Sequence, residues 1–317
     1  LGNNGGFTGN VQVVNADNNA RANDLLITSQ VFNGNLGAIS DSGAIHLIKD
    51  MHLKSGNIPL SSTANFSAEW YAGTSDRVGD TNKGGPGVIL MDIDGNGYAN
   101  DLLMWSFRID LNSLTDNGAV WLVKDIDRYT GTNDLENGTG TYAARWIGAS
   151  TSDQIGNLDG EGYTINIVNL DNNAQANDLI IGTSLADINS VTNSGGLYVI
   201  RDAHNKVGSY SLANLDNFDL RFNGGTASDF LIDTNKSRQG VYVVDADGNG
   251  YTNDLILMGN LVDFNSVTNA GGVYLIRDIV TVAVANNYSF TLSLPATACL
   301  GGKGAESGAD GPCIRAW

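Results

Sequence analysis

Apolar residues in this chain fall in short β-branched runs separated by clusters of Asn, Asp and Gly, and the runs recur. Four segments superpose without gaps: Val11 to Leu26, Val88 to Leu103, Ile165 to Ile180 and Val241 to Ile256. Each is an apolar run, an Asp/Asn loop and then Asn-Asp-Leu. The central Asp of each, at Asp17, Asp94, Asp171 and Asp247, recurs at steps of 77, 77 and 76 residues, so the chain is a tandem repeat. About 18 residues after each Asn-Asp-Leu comes a second shared run: Gly43 to Asp50, Gly118 to Asp125, Gly196 to Asp202 and Gly272 to Asp278. Its alternation and β-branching predict a strand. A third strand-like run ends in aromatic residues and a turn at Phe66 to Gly73, Tyr142 to Gly148 and Phe218 to Gly225, and Tyr288 to Leu294 takes that place in the last unit.

Each unit thus predicts four strands: one entering the Asp/Asn loop, one leaving it, the Gly-initiated run and the aromatic run. Four strands joined by short turns make one propeller blade. The predicted fold is all-β, a β-propeller of four four-stranded blades at about 7–77, 78–154, 155–230 and 231–294, with residues 295–317 as a C-terminal tail outside the repeat. A larger ring, completed by a second copy or by further sequence, is the alternative. Units one and three share Asn-x-Asp-Asn-Asn-Ala, whereas two and four share Asp-x-Asp-Gly-Asn-Gly-Tyr, which suggests a duplicated pair.

Composition narrows the setting. The 40 glycines and 38 asparagines, against four prolines, make a chain dense in turns, because both residues tolerate positive φ. A formal charge of -17 repels phosphate backbones and anionic lipid, which speaks against a nucleic-acid partner. The best apolar run, Ile279 to Ala285, is far short of a membrane-spanning helix. A chain that opens at Leu1 is expected to be a processed or trimmed product. Cys299 and Cys313 both lie in the last nineteen residues. In an exported protein they most simply form a disulfide, contributing roughly 3 kcal/mol by chain entropy, and in a reducing compartment they remain thiols.

The loops carry the candidate chemistry. Asp92, Asp94, Asn96 and Asn100 place oxygen-bearing side chains at loop positions 1, 3, 5 and 9, with Gly97 at 6, the Tyr98 carbonyl at 7 and Asp101 behind. Such a turn wraps a hard dication. Asp245, Asp247, Asn249, Tyr251, Asn253 and Asp254 repeat the set. Crowded carboxylates repel by roughly 4 kcal/mol per pair at 4 Å, so a cation between them is expected, and all-oxygen ligands favour calcium. An Asx-turn hairpin without metal is the competing reading. Unit one (Asn15, Asp17, Asn19, Asn23, Asp24) and unit three (Asn169, Asp171, Asn173, Asn177, Asp178) are weaker candidates, because the first acid is Asn and the loop glycine is Ala20 or Ala174.

The ordered series Gly-x-Ser-x-x-Asp-x-x-Gly, apolar strand, Asp-x-Asp-x-Asn-Gly and Gly-x-Val-Tyr-Leu-Ile resembles the FG-GAP repeats of integrin-type β-propellers. Ile147 to Gly156 with Asn169 to Ile181, and Ala72 to Gly79 with Asp92 to Met104, carry the resemblance, which spans about 290 of the 317 residues. It implies a calcium-stabilised propeller on extracellular proteins, used in adhesion or assembly or attached to secreted hydrolases and lyases. The chain departs from the pattern in the extra residues Asn100 and Asn253, in Asp229-Phe-Leu-Ile232 without its glycine, and in having fewer units than is usual.

Enzyme signals are sparse. His46 takes the slot of Trp121, Tyr198 and Tyr274, so it reads as a strand residue, while His52 and His204 fall two residues after the Asp closing the third strand. The Asp92/Asp94 and Asp245/Asp247 pairs read as co-ligands rather than a glycosidase pair. Gly301 to Ser307 lacks the spacing of a phosphate loop. The sequence therefore points to a noncatalytic extracellular or cell-surface propeller for adhesion or for a filament-like assembly. Its partner is a protein, a glycan or a second copy, met by the variable segments Met51 to Ala64, Ile126 to Thr141 and Ala203 to Asp216. The alternative is the propeller of a secreted carbohydrate- or lipid-cleaving enzyme.

Overall fold

The computed structural model describes residues 10–19, 21–79, 87–157, 165–173, 175–233, 240–263, 267–279, 288–292, 297–299 and 313–316. In the last three segments only the backbone is described. Ala20, Ala174, Gly301 to Ser307 and Trp317 lie outside the described residues. The chain divides into two compact units, Leu1–Gly156 with Asn205–Ser211, and Asn157–His204 with Leu212–Trp317.

In chain order the strands of the first repeat are β1 (Asn10–Val14), β2 (Asp24–Ser29), β3 (Ala44–Ile48) and β4 (Ala68–Tyr71). The second repeat gives β5 (Val88–Met91), β6 (Asp101–Ser106), β7 (Ala119–Val123), β8 (Gly131–Asp134) and β9 (Ala144–Ile147). The third gives β10 (Ile165–Val168), β11 (Asp178–Thr183), β12 (Gly196–Ile200), β13 (Gly208–Ser211) and β14 (Leu220–Gly224). The last gives β15 (Val241–Val244), β16 (Asp254–Gly259), β17 (Gly272–Ile276), β18 (Tyr288–Leu292), β19 (Thr297–Cys299) and β20 (Cys313–Ala316).

The strands form four sheets, and the first three begin as antiparallel four-strand meanders that follow the sequence pattern. Each sheet holds five strands rather than the expected four. In the first unit the orders are β1-β2-β3-β4-β8 and β5-β6-β7-β9-β13. The added strands come from the segments expected to be variable surface: β8 runs parallel to β4 and β13 parallel to β9. After its third strand the chain thus lays one short strand along the outer edge of the preceding sheet, where unpaired N–H and C=O groups would otherwise face water.

The second unit corrects the expectation for the C-terminal end. Its sheets are β10-β11-β12-β14-β18 and β15-β16-β17-β20-β19. Tyr288 to Leu292 is not the outer strand of its own repeat; it runs parallel to β14, as β8 and β13 do on their neighbours. The vacated place beside β17 is filled antiparallel by β20, with β19 on its far side. The tail from 295 onward therefore contributes to the last sheet.

Burial follows sheet position. The central strands β3, β7 and β12 are buried at every residue because both faces are covered, whereas β1 alternates and leaves Val11 and Val13 exposed. The first unit's core gathers Trp70, Trp121, Leu102, Leu47 and Ile147, and the second gathers Phe222, Tyr274, Leu197 and Leu255. The glycine opening the third strand is obligatory. Gly118 has φ +75°, and a Cβ there would lie 2.3 Å from the Ile155 nitrogen.

Candidate metal centres

Each Asn-Asp-Leu aspartate is the first residue of a second strand, and all four are fully buried: Asp24, Asp101, Asp178 and Asp254. Each carboxylate holds the same three backbone groups. Asp101 Oδ2 accepts from the nitrogens of Ile93 and Asp94, at 2.8 and 2.9 Å, and its Oδ1 accepts from the Asp125 nitrogen at 2.9 Å. Asp24 takes Ala16, Asp17 and Asp50; Asp178 takes Leu170, Asp171 and Asp202; Asp254 takes Ala246, Asp247 and Asp278. The aspartate clasps the loop to the end of the third strand. Burial pushes Asp101 and Asp178 upward, opposed by their hydrogen bonds from backbone N–H groups.

That third-strand end is a second aspartate. Asp50, Asp125, Asp202 and Asp278 all have φ between 48° and 53°, a left-handed conformation that turns the chain over the loop. Loop amides converge on them. Asp125 Oδ1 accepts from Nδ2 of Asn96 at 3.0 Å and of Asn100 at 3.3 Å. Asp50 does the same with Asn19 and Asn23, and Asp202 with Asn173 and Asn177. Asp278 accepts from Asn249 at 2.9 Å. Burial and the nearby carboxylates of Asp247 and Asp254 raise Asp278. None of these four residues was among the sequence candidates. Their signal was visible, because the second shared run ends in Asp in every unit, but sequence spacing alone did not bring residues some 25 positions apart into one cluster.

The loops themselves are wound by Asx turns. Asp92 accepts from the nitrogens of Gly95 and Gly97, and Asp245 from those of Gly248, Asn249 and Gly250. Those four glycines have positive φ, and Asn18 and Asn172 adopt the same sign in the loops without glycine. The Asx-turn hairpin and the carboxylate cluster are therefore one structure. Tyr98 and Tyr251 project outward, 45 % and 47 % exposed.

In all four loops three carboxylates offer oxygens within 4.8 Å of one another: Asp17, Asp24 and Asp50; Asp92, Asp94 and Asp101; Asp171, Asp178 and Asp202; Asp245, Asp247 and Asp254. In units one and three the third-strand aspartate supplies the acid that Asn15 and Asn169 lack. Asn100 and Asn253 are 4 % and 6 % exposed, and the Oδ1 of each, like the buried Oδ1 of Asn23 in unit one, finds no hydrogen-bond donor among the described residues. A buried amide oxygen without a donor is costly unless a cation or water meets it. Units one and three also differ from an all-oxygen set: His52 Nδ1 and His204 Nδ1 lie 3.9 Å from Asp50 and Asp202.

His46 is fully buried between the rings of Phe32 and Phe66 and pairs across the strands with Glu69. Trp121 and Tyr198 face Arg145 and Arg221 at the matching register. Burial lowers His46 to about 4 and raises Glu69 to about 7, so both groups are held toward their neutral forms. In the last sheet the backbone register sets Cys299 opposite Cys313. No protein-family model matches this chain, and no curated protein matches it in sequence.

Proposed function

We propose that the four sheets are blades of a β-propeller stabilised by calcium at its four Asp/Asn loops. In this reading it works outside the cell as a noncatalytic scaffold for adhesion or as a subunit of a surface assembly. The observation that carries the reading is the fourfold carboxylate trio, joined in units one, two and four by a buried asparagine oxygen that lacks a donor among the described residues. Hard oxygen ligands crowded at one turn suit calcium. The resemblance to FG-GAP repeats supports the same ion, the same fold and an extracellular setting. Calcium would join the loop to the second strand in units two and four, through Asp94 with Asp101 and Asp247 with Asp254, and to the third strand as well in units one and three, through Asp17 with Asp50 and Asp171 with Asp202.

The test is terbium or calcium titration with mass and shape measured by light scattering and electron microscopy, first in millimolar calcium and then in excess EDTA. Saturable binding whose stoichiometry falls in Asp94→Asn/Asp247→Asn, together with regular particles that disperse on chelation, is the expected result. A compact monomer that binds no calcium would remove the reading.

A further inference from the structure

In the first unit a groove of about 330 Å³ runs between the loop end of β1 and the loop following β5, within the size range of small-molecule sites. Its wall carries three amides, Gln12, Asn15 and Asn18, over a small apolar floor of Val14 and Leu90, and Tyr98 stands at its rim. Among the described residues no charged side chain lines it. We propose that this groove binds a neutral saccharide, with the Tyr98 ring as stacking platform and the amides as hydroxyl partners. The proposal rests on the adhesive reading above and names its ligand class.

The chemistry of the lining selects the ligand. A primary amide presents a donor and an acceptor side by side, which matches adjacent sugar hydroxyls. The Gln12 and Asn18 amides have no hydrogen-bond partner among the described residues, and Asn15 uses only its oxygen, on the Asn19 nitrogen. Tyr98 is 45 % exposed, and its neighbour Gly97 has φ +90° with no atom within 4 Å of a Cβ position, so the loop is open at that turn. A half-exposed aromatic with one polar end suits the apolar face of a sugar. A charge of -17 on the chain disfavours anionic glycans at long range.

The arrangement recurs in the sequence of the second unit. Asn166, Asn169 and Asn172 stand at the register positions of Gln12, Asn15 and Asn18, and Tyr251 at that of Tyr98. Asn172 keeps the left-handed φ of Asn18, at 59° against 57°, and Tyr251 matches the exposure of Tyr98 at 47 %. A second saccharide site there would give avidity for a repeating polymer.

The experiment titrates the full chain, in millimolar calcium, with neutral gluco-, manno-, galacto- and xylo-oligosaccharides and with oligouronates, read by calorimetry and saturation-transfer NMR. One neutral class should bind. Tyr98→Ala should weaken it about tenfold, roughly the loss of one good contact, whereas Tyr98→Phe keeps it, and Tyr98→Ala/Tyr251→Ala abolishes it. Asn18→Gly, which tolerates the same backbone conformation, serves as an independent weakening variant. No binding at millimolar saccharide, preference for uronates, unchanged affinity in both Tyr98→Ala and Asn18→Gly, or self-association lost in Tyr98→Ala would each overturn the proposal. Saccharide binding that persists in EDTA supports the groove and counts against calcium; calcium binding without saccharide binding does the reverse.

Discussion

Asp101 and its three counterparts show how one side chain holds a turn that neither strand holds alone. Truncating it strips the acceptor from the buried nitrogen of Ile93 and the partly buried nitrogens of Asp94 and Asp125. At roughly 1 kcal/mol or more for each orphaned group, Asp101→Ala should cost about 3 to 5 kcal/mol in urea denaturation in EDTA, and more in calcium. Asp92→Asn should alter calcium affinity and also lower stability in EDTA by about 1 kcal/mol, because Gly95 and Gly97 donate to different oxygens of Asp92 and an amide keeps only one acceptor. Ile232 is a second such residue. Where the matching turns carry Gly79 and Gly156 at φ 71° and 83°, it holds φ 70°, unfavourable for a β-branched side chain, and is retained by burial in the core. Asp76, 5 % exposed, is raised to about 7, first by burial and then by Glu136, Asp110 and Asp116. The folded chain thus keeps a proton that the unfolded chain has lost. Its contribution is full below the ordinary aspartate pKa and fades as pH rises through about 7, at up to about 1.4 kcal/mol per pH unit. Thermal melts in excess calcium should therefore show Tm falling with rising pH more steeply for the wild type than for Asp76→Asn.

Among the elements, the first three strands of each repeat were legible, because alternation, β-branching and the flanking glycines are local signals. The fifth strand was not. β8, β13 and β18 lie apart from the strands they pair with, and parallel pairing leaves no local mark like a hairpin turn. The same blindness misplaced Tyr288 to Leu292, whose aromatic run looks like an outer strand. β20 takes that place, so deleting residues 295–317 would expose the edge of β17. Such a truncation should lower Tm and promote association in light scattering. Cys299 faces Cys313 in the β19–β20 ladder, and an oxidised protein is expected to lose about 3 kcal/mol on reduction, read as a Tm drop in reducing agent that the double Ser variant reproduces.

For the whole molecule the dominant quantities are 34 acidic against 17 basic residues and, among the described residues, four carboxylate clusters. Calcium and general ionic strength both relieve that repulsion, and they separate experimentally. Millimolar calcium should raise Tm far beyond sodium chloride of equal ionic strength, and the increment should shrink as Asp94→Asn and Asp247→Asn are combined. Equal shifts in both salts would mean screening alone.

By itself the sequence determined the repeat, the all-β class, the loops and most of their acidic ligand candidates, since these depend on residue type at short separation. Tertiary structure decided three things that short separation cannot. It moved the last outer strand to the C-terminal tail, brought Asp50, Asp125, Asp202 and Asp278 over the loops, and turned each Asn-Asp-Leu aspartate into a backbone clasp. In each case at least one partner lies about 20 or more residues away, as Asp125 does from Asp101, and only the closing of the sheet brings the two together.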